Sequence, residues 1–312
     1  MTVALPARHE LCAVVTTYHP DAQFPGYLSA ISAQCNEVII VDNGSAATAI
    51  AMLRTISGVR VALIEMGRNT GLGAALNHGI AQAKTRGYSW VVLFDQDSLP
   101  LGDMAETFCK ILAAHPEPDK VAIIGSTFID RNRQTAADAM DESPGKVTWK
   151  EKKRVITSGM LLSLGAFDGI GPFREDFFVD TIDHEYCYRA RANGWHVVQA
   201  ATPLLSHSVG NYRRHRLLGA RIWRSHHSAL RCYFMTRNPL LLAWDQQAYA
   251  KLLRGGVKAI KNSFLILLFE ENKLEKLAAT LSGYRDGLLR RTSMPQRIQR
   301  QIRQGSPGTP ES

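Results

Sequence analysis

The sequence predicts an α/β fold: a mixed, mostly parallel sheet covered by helices, followed by a C-terminal helical extension. Three observations carry that expectation. Strand-like and helix-like segments alternate from residue 11 to residue 128, the pattern of a sheet built by crossover connections. The strand segments are continuous apolar runs, as strands covered on both faces are. Several end in a carboxylate and a polar turn, and open α/β sheets bind ligands just beyond the carboxyl ends of their strands.

Taken in order, Leu11-Cys12-Ala13-Val14-Val15-Thr16-Thr17-Tyr18 reads as a first strand, and His19-Pro20-Asp21 as a turn leading to a helix near 27–34. A second strand, 37–41, runs into Asp42-Asn43-Gly44-Ser45. An amphipathic stretch at 48–56 precedes a third strand at 59–65, and the glycine-rich 67–79 opens a helix that lasts to about residue 86. Residues 90–94 form a buried strand that ends in Asp95-Gln96-Asp97-Ser98. A helix at 103–114 and a strand at 121–128 follow. The polar segment 130–153, with Pro144 and Gly145, reads as a long surface excursion, and 155–163 returns to the sheet. After a turn at 169–172, residues 177–191 begin as an apolar turn and continue as a helix that Asn193-Gly194 closes. A strand at 195–200 comes next, and Leu204-Leu205-Ser206-His207 follows it. From residue 225 the pattern is helical, and the Ser/Pro/Gly end from 305 reads as disordered.

Composition narrows the function classes. A net charge of +9 and a pI near 9.4 point to an anionic partner. Between Glu185 and Asp245 there is no acidic residue and no Lys, while Arg189, Arg213, Arg214, Arg231 and Arg237 fall inside, and Arg is the residue that grips phosphate with a planar fork. No recognised nucleic-acid-binding module accompanies the charge, so nucleic acid is not expected as a partner. The five cysteines are scattered without a C-x-x-C pair, which argues against a zinc knuckle or a disulfide framework and fits a reducing compartment. Residues 1–10 lack an apolar core and do not read as a signal peptide, and the longest late apolar run, 264–269, is too short to span a bilayer. A cytoplasmic protein is expected, at most peripheral on a membrane. In the C-terminal third Leu252, Val257, Ile260, Phe264, Leu267 and Leu268 recur near helical spacing with Lys251, Arg254, Lys258 and Lys261 between them. Such a stripe suits an anionic membrane surface, but docking on a core is the commoner use and is the expectation here. The late arginines Arg285, Arg290, Arg291, Arg297, Arg300 and Arg303 add to the positive charge.

The chemistry lies in the acidic groups. Asp95 and Asp97, two residues apart on extended backbone, project to one side and can share a divalent cation that also holds a diphosphate; a plain polar turn is the simpler use of the same residues. Asp42 ends the second strand, Asp183 and Glu185 open a late helix, and His207 follows the last strand. A nucleotide-sugar transferase needs such a set: a carboxylate for base and ribose, a metal site for the diphosphate and a base for the acceptor hydroxyl. A dinucleotide-binding dehydrogenase is disfavoured, because Gly71 and Gly73 lack the third glycine and follow the third strand, not the first.

On Val15-Thr16-Thr17-Tyr18, Ile40-Val41-Asp42-Asn43-Gly44-Ser45, Arg68-Asn69-Thr70-Gly71-Leu72-Gly73 with Ala75 and Asn77, Leu93-Phe94-Asp95-Gln96-Asp97-Ser98, Ser158-Gly159 and Phe178-Val179-Asp180 with Asp183, Glu185 and Arg189, the chain resembles the family 2 inverting glycosyltransferases of GT-A fold, in their dTDP-L-rhamnose-dependent branch. His207 with Gly210, and Arg237-Asn238, extend the resemblance, which covers residue 11 to the 280s. One position departs from the pattern: many members carry an acidic residue just before the catalytic Asp, and Ile182 stands there, which leaves the choice between Asp180 and Asp183 open, with Asp183 preferred.

The resemblance implies a GT-A catalytic domain at 11–240, with a nucleotide-binding half at 11–128 and an acceptor-side half at 155–240, between an N-terminal arm at 1–10 and a basic helical extension at 241–304, with a tail at 305–312. It implies that Thr16 and Tyr18 line the base pocket, that Asp42 bonds base or ribose, and that Asp95 faces ribose and metal. Asp97, with Asp95, would ligate Mg2+ or Mn2+, and His207 would ligate the metal or hydrogen-bond the phosphate. Asn69 and Asn77 would contact the nucleotide or cap the adjoining helix, Asp180 would face the donor or cap the next helix, and Arg213 and Arg214 would close over the diphosphate or form a solvated basic face. Asp183 is the expected general base and Glu185 the expected acceptor-orienting group. The activity implied is transfer of L-rhamnose from dTDP-L-rhamnose to a hydroxyl of a glycolipid or lipid-linked saccharide. A UDP-sugar donor is the rival within the class, and a non-catalytic nucleotide-binding scaffold at a membrane the rival outside it.

Overall fold

A strand buried at every residue needs a neighbour on each edge and a helix layer on each face, and β1 (Leu11–Thr17) has all four. The structure is a computed structural model that describes residues 10–131, 135–136, 148–207, 212–217 and 220–304. The chain divides into two compact units, one formed by residues up to Arg174 with Asp183–Ser208, the other by Glu175–Ile182 with residues from Val209 on.

In the first unit β1 lies between β2 (Glu37–Asp42) and β4 (Trp90–Asp95), with β3 (Val61–Glu65) outside β2. All four are parallel, and their registers set Thr17 beside Asp42 and Thr16 beside Asp95. The intervening helices α1 (Phe24–Ser32), α2 (Ala47–Ile56) and α3 (Leu72–Thr85) are the crossovers. Beyond β4 the sheet continues through β9 (Met160–Ser163), β6 (Val121–Asp130) and β10 (His196–His207). Only β9 among these runs antiparallel, so β1, β2, β4, β6 and β10 all end at one edge. Leu11, Val15, Phe24, Ile40, Trp90, Phe94, Phe108 and Leu161 form one core beneath the α1 and α4 (Met104–Ala114) layer. The expected fold class is the one observed.

Three local differences have physical causes. The excursion expected at 130–153 includes β7 (Thr135–Ala136) and β8 (Trp149–Glu151), and β8 pairs antiparallel with β10 while Trp149 packs against the core. Strands of two or three residues are too short to show a period. Residues 132–134 and 137–147 lie outside the described residues. The strand expected at 195–200 runs on to residue 207, because Pro203 interrupts the ladder with register shifts and does not end it. The hairpin of β11 (Tyr212–Leu217) and β12 (Ala220–Ser225) had no expected counterpart, since its run of arginines hides any apolar alternation.

The second unit holds the β11–β12 hairpin and the helices α7 (Ala229–Asp245), α8 (Tyr249–Phe269), α9 (Lys273–Leu288) and α10 (Gln296–Gln304). α7 runs through residue 240, where the catalytic domain was expected to end. Phe178, Tyr233, Phe234, Ile266 and Ala279 form its core, with Phe178 stacked on Phe234 at 5.1 Å between ring centroids. The docking expected of the α8 stripe is only partly realised. Leu252 and Ile266 are buried, whereas Val257, Ile260, Phe264, Leu267 and Leu268 face solvent. The expected arm at 1–9 and tail at 305–312 lie outside the described residues.

Candidate active site

β4 ends at Asp95, and the chain turns through Gln96, Asp97 and Ser98 into the short β5 (Leu99–Pro100). β5 pairs antiparallel with Leu205 and Ser206 of β10. That pairing clamps the turn beside the carboxyl end of β10 and delivers the next residue, His207, to the two carboxylates. Its Nδ1 lies 3.2 Å from Asp97 Oδ1 and its Nε2 3.9 Å from Asp95 Oδ2. Phe128 meets the imidazole edge-on at 6.3 Å. Burial opposes the charged imidazole, but Asp97 and, less strongly, Asp95 outweigh it and raise the His207 pKa above its ordinary value, while Arg131 pulls the other way.

Other groups hold this turn in place. Gln96 Oε1 accepts the Tyr18 backbone N–H at 2.8 Å, tying the turn to the end of β1. Ser98 and Ser158 share a hydroxyl hydrogen bond in the interior. Arg131, the residue after β6, donates through Nη2 to the Asp97 carbonyl and lies over the Tyr27 ring at 4.8 Å. The sequence reading missed Arg131. Its only signal was position, one residue past the end of a strand, because the register that sets Asp130 beside His207 cannot be read from composition.

The metal expected at Asp95, Asp97 and His207 fits the residues present. One ligand atom from each lies within 4.8 Å of the others, and Asp97 Oδ2 is buried with no hydrogen-bond partner among the described residues, an arrangement that a cation would relieve. Two carboxylates and an imidazole suit Mg2+ or Mn2+. A second group, His115, Glu151 and His196, sits at the opposite end of β10. There His115 Nδ1 accepts the Glu117 N–H at 3.1 Å, so the neutral ring carries its proton on Nε2, the atom facing Glu151, and offers a metal no lone pair.

Asp42 stands at the same sheet edge, fully buried. Its oxygens accept from Thr17 Oγ1 at 3.1 Å, from the backbone N–H groups of Gly44 and Ser45 at 3.0 and 2.8 Å, and from the Ser45 hydroxyl. The turn it builds needs glycine: Gly44 has φ +89°, and a Cβ there would come within 2.3 Å of the Arg68 backbone. That close approach seats Asn69, whose Oδ1 accepts from Asn43 Nδ2 and the Gly71 N–H. Asn77 exchanges two hydrogen bonds of 2.9 Å with the Phe173 backbone, fixing the 171–173 segment against α3. Thr16 is buried, and Tyr18, half-buried, meets the His19 ring edge-on at 4.3 Å.

Past α5 (Leu164–Ile170), Asp183 and Glu185 lie in the first turn of α6 (Ile182–Ala192) and differ in environment. Asp183 is half-buried, with Oδ1 accepting the His184 N–H at 2.8 Å. Glu185 is buried and held by both arms of Arg189 at 2.6 and 2.9 Å, while Arg189 also donates to the carbonyls of Ile170 and Pro172. In this arrangement Glu185 braces α6. Asp180 belongs to the second unit, where Arg231 holds it at 3.1 Å. Arg213 and Arg214 lie on β11, paired in register with Arg224 and Trp223, and their side chains lie outside what the structure describes.

Comparison with known proteins identifies the family and the fold. The sequence pattern described as Glycosyl transferase family 2 matches residues 12–173, just over half of the chain, from β1 to Phe173. The chain is 28% identical over 290 residues to the dTDP-rhamnosyl transferase RfbF of Shigella flexneri, covering 88% of this chain and 95% of that protein. Among solved structures, GalNAc-T7 with UDP, GalNAc and Mn2+ superposes with a TM-score of 0.52 at 13% identity over 74% of this chain, and the chain spans half of that protein's length. TarS residues 1–349 of S. aureus gives a TM-score of 0.48 at 13% identity over 88% of this chain and 71% of that one. The GalNAc-T7 likeness shows that the fold is GT-A.

Proposed function

The chain belongs to glycosyl transferase family 2, and from that premise we propose that it transfers L-rhamnose from dTDP-L-rhamnose, with inversion, to a hydroxyl of a glycolipid or lipid-linked saccharide at the cytoplasmic face of an anionic membrane. The observation that carries the reading is the convergence of Asp95, Asp97 and His207 at the carboxyl edge of the parallel strands. The similarity to a dTDP-rhamnosyl transferase along nearly the whole chain supports the choice of donor.

In this reading Thr16 and Tyr18 flank the base, and the Asp42 and Asn69 turns hold the walls of the nucleotide pocket. By the family resemblance Asp180, Asn77, Arg213 and Arg214 would serve the donor. Asp95, Asp97 and His207 would hold Mg2+ or Mn2+, which when bound neutralises diphosphate charge and steadies the leaving group. The Arg131 guanidinium adds positive charge at the same turn. An acceptor oxygen attacks the anomeric carbon from the face opposite dTDP while Asp183 takes its proton. The new C–O bond forms as the C–O bond to the β-phosphate breaks, and dTDP departs with the electron pair. Glu185, gripped by Arg189, keeps α6 and hence Asp183 in register.

Nucleotide release from a panel of dTDP-, UDP- and GDP-sugars with Mg2+ or Mn2+, with and without a membrane lipid extract, tests the proposal. Selective release of dTDP from dTDP-L-rhamnose, raised by the extract, is the expected result. Release from a UDP-sugar overturns the donor, and silence on every donor overturns the catalytic reading.

A further inference from the structure

The orientation of α8 is set by what it cannot bring to the surface of its neighbours. A Cβ on Gly255 would come within 2.5 Å of Leu240 Cδ2, and one on Gly256 within 2.6 Å of the Tyr284 hydroxyl, so the glycine face must lie inward for the helix to approach α7 and α9. Leu252, Ala259 and Ile266 are buried on that side. The flank about a quarter-turn round the helix from that side carries Leu253, Val257, Ile260, Phe264 and Leu267, spaced by four, three, four and three residues. They form one ridge, and at 78%, 70%, 73%, 57% and 44% they are exposed far beyond what scattered surface leucines require. At 21 residues the helix is about 30 Å long.

Charge decides the occupant. Lys251, Arg254, Lys258 and Lys261 are exposed beside this ridge, and α8 contains no Asp or Glu. Two copies packed along the ridge would gather eight cations with no anion on either helix to offset them. An anionic bilayer supplies both partners at once, acyl chains for the ridge and headgroup phosphates for the cations. No helix among the described residues is long and apolar enough to cross a membrane, which agrees with a helix lying in the interface. We infer that the outward face of α8 docks on an anionic lipid surface, with Leu253, Val257, Ile260, Phe264 and Leu267 seated at the acyl boundary and Lys251, Arg254, Lys258 and Lys261 among the headgroups. This surface names the membrane contact within the proposed function, yet its argument needs neither the donor nor the acceptor.

Co-sedimentation of the full chain with phosphatidylcholine vesicles, with and without phosphatidylglycerol, tests the inference in the absence of any sugar nucleotide, so failure here leaves the catalytic reading untouched. The expected result is binding to the mixed vesicles only, weakened by salt. Lys258→Gln and Lys261→Gln each lower the partition about fivefold. Ile260→Ser combined with Phe264→Ser lowers it on the order of a hundredfold. Both side chains are solvent-exposed, so an unchanged circular dichroism melt verifies that the double variant is folded. Absence of binding to mixed vesicles, or binding indifferent to the double substitution, overturns the inference. So does a lipid-free dimer in sedimentation equilibrium that the double substitution dissociates, which would assign the ridge to a second copy.

Discussion

Asn238 donates its side-chain amide to the carbonyl oxygen of Asp180 at 2.9 Å, and the same nitrogen reaches the carbonyls of Phe177 and Val179 at 2.9 and 2.8 Å. The neighbouring Arg237, fully buried, donates to the Asp176 and Thr292 carbonyls. Between them these two side chains hold a turn whose backbone is strained: Phe178, Asp180 and Thr181 have φ of +59°, +62° and +69°, and none is glycine. Each such residue costs about 1–2 kcal/mol, most for the β-branched Thr181. The turn leads directly into α6 and Asp183.

Asn238→Leu should therefore remove the donor that makes the strained turn affordable, lowering stability by about 1–3 kcal/mol. If the turn sets the register of Asp183, kcat falls at least about tenfold while dTDP binding stays intact. Asn238→Asp, similar in size but an acceptor, should give no rescue. A lower urea midpoint with unchanged kcat would mean that the turn serves stability alone.

The proximity of His207 to Asp97 makes a prediction about metal. Chelation with EDTA should abolish turnover, and Mn2+ or Mg2+ should restore it. Asp97→Asn and His207→Ala should each weaken Mn2+ binding about 10–100-fold by titration calorimetry. Removing His207 leaves two carboxylates facing each other, so the variant should still bind metal, more weakly. Turnover unaffected by either chelation or Asp97→Asn would remove the metal from the proposed mechanism.

For Asp183, a general base contributes about 10²–10⁴ in rate. Asp183→Asn keeps the side-chain oxygen that accepts the His184 N–H and loses only the ability to take a proton. The expected outcome is a fall in kcat of that order with donor affinity unchanged by equilibrium dialysis. Retained turnover would return the role to Asp180.

Glu185 separates a brace from an acceptor contact. The carboxylate is buried against Arg189, and losing one partner of a buried pair costs about 3–5 kcal/mol because the other charge stays uncompensated. Arg189→Met should thus be more destabilising in urea than Glu185→Leu combined with Arg189→Met. A double variant that regains stability and keeps an unaltered acceptor KM would fix Glu185 as the brace of α6.

The outcome of reading this chain before its structure follows the range of the interactions. Strands β1, β2 and β4 were legible because Leu11 to Val15, Val38 to Val41 and Trp90 to Phe94 are unbroken apolar runs, a signal carried within each segment. The grouping of Asp95 with Asp97 was legible from spacing. Its completion by His207 came from the resemblance, since only the β5–β10 pairing joins them in space. Arg131 depended on the register of β6 with β10, and the strained turn at 178–181 on Asn238, some sixty residues away, so neither left a local trace. The stripe of α8 has the same period whichever face is covered. Gly255 and Gly256 decided it, through contacts with Leu240 and Tyr284 that sequence alone does not reveal.

Two buried thiols give the protein an alkaline limit. Burial pushes Cys12 and Cys187 up from 9.0 to about 12, and Cys35 adds to the rise at Cys12. Once unfolded, both return to the ordinary thiol range. Below pH 9.0 both states hold the proton and stability is independent of these groups. Above it the unfolded chain releases protons that the folded one keeps, so unfolding becomes easier by about 1.4 kcal/mol per pH unit for each thiol until the folded value is reached. Urea midpoints measured on both sides of pH 9.0 should fall on the alkaline side, and Cys12→Ala with Cys187→Ala should flatten that fall relative to the parent. An equal slope in the two proteins would assign the alkaline loss to other groups.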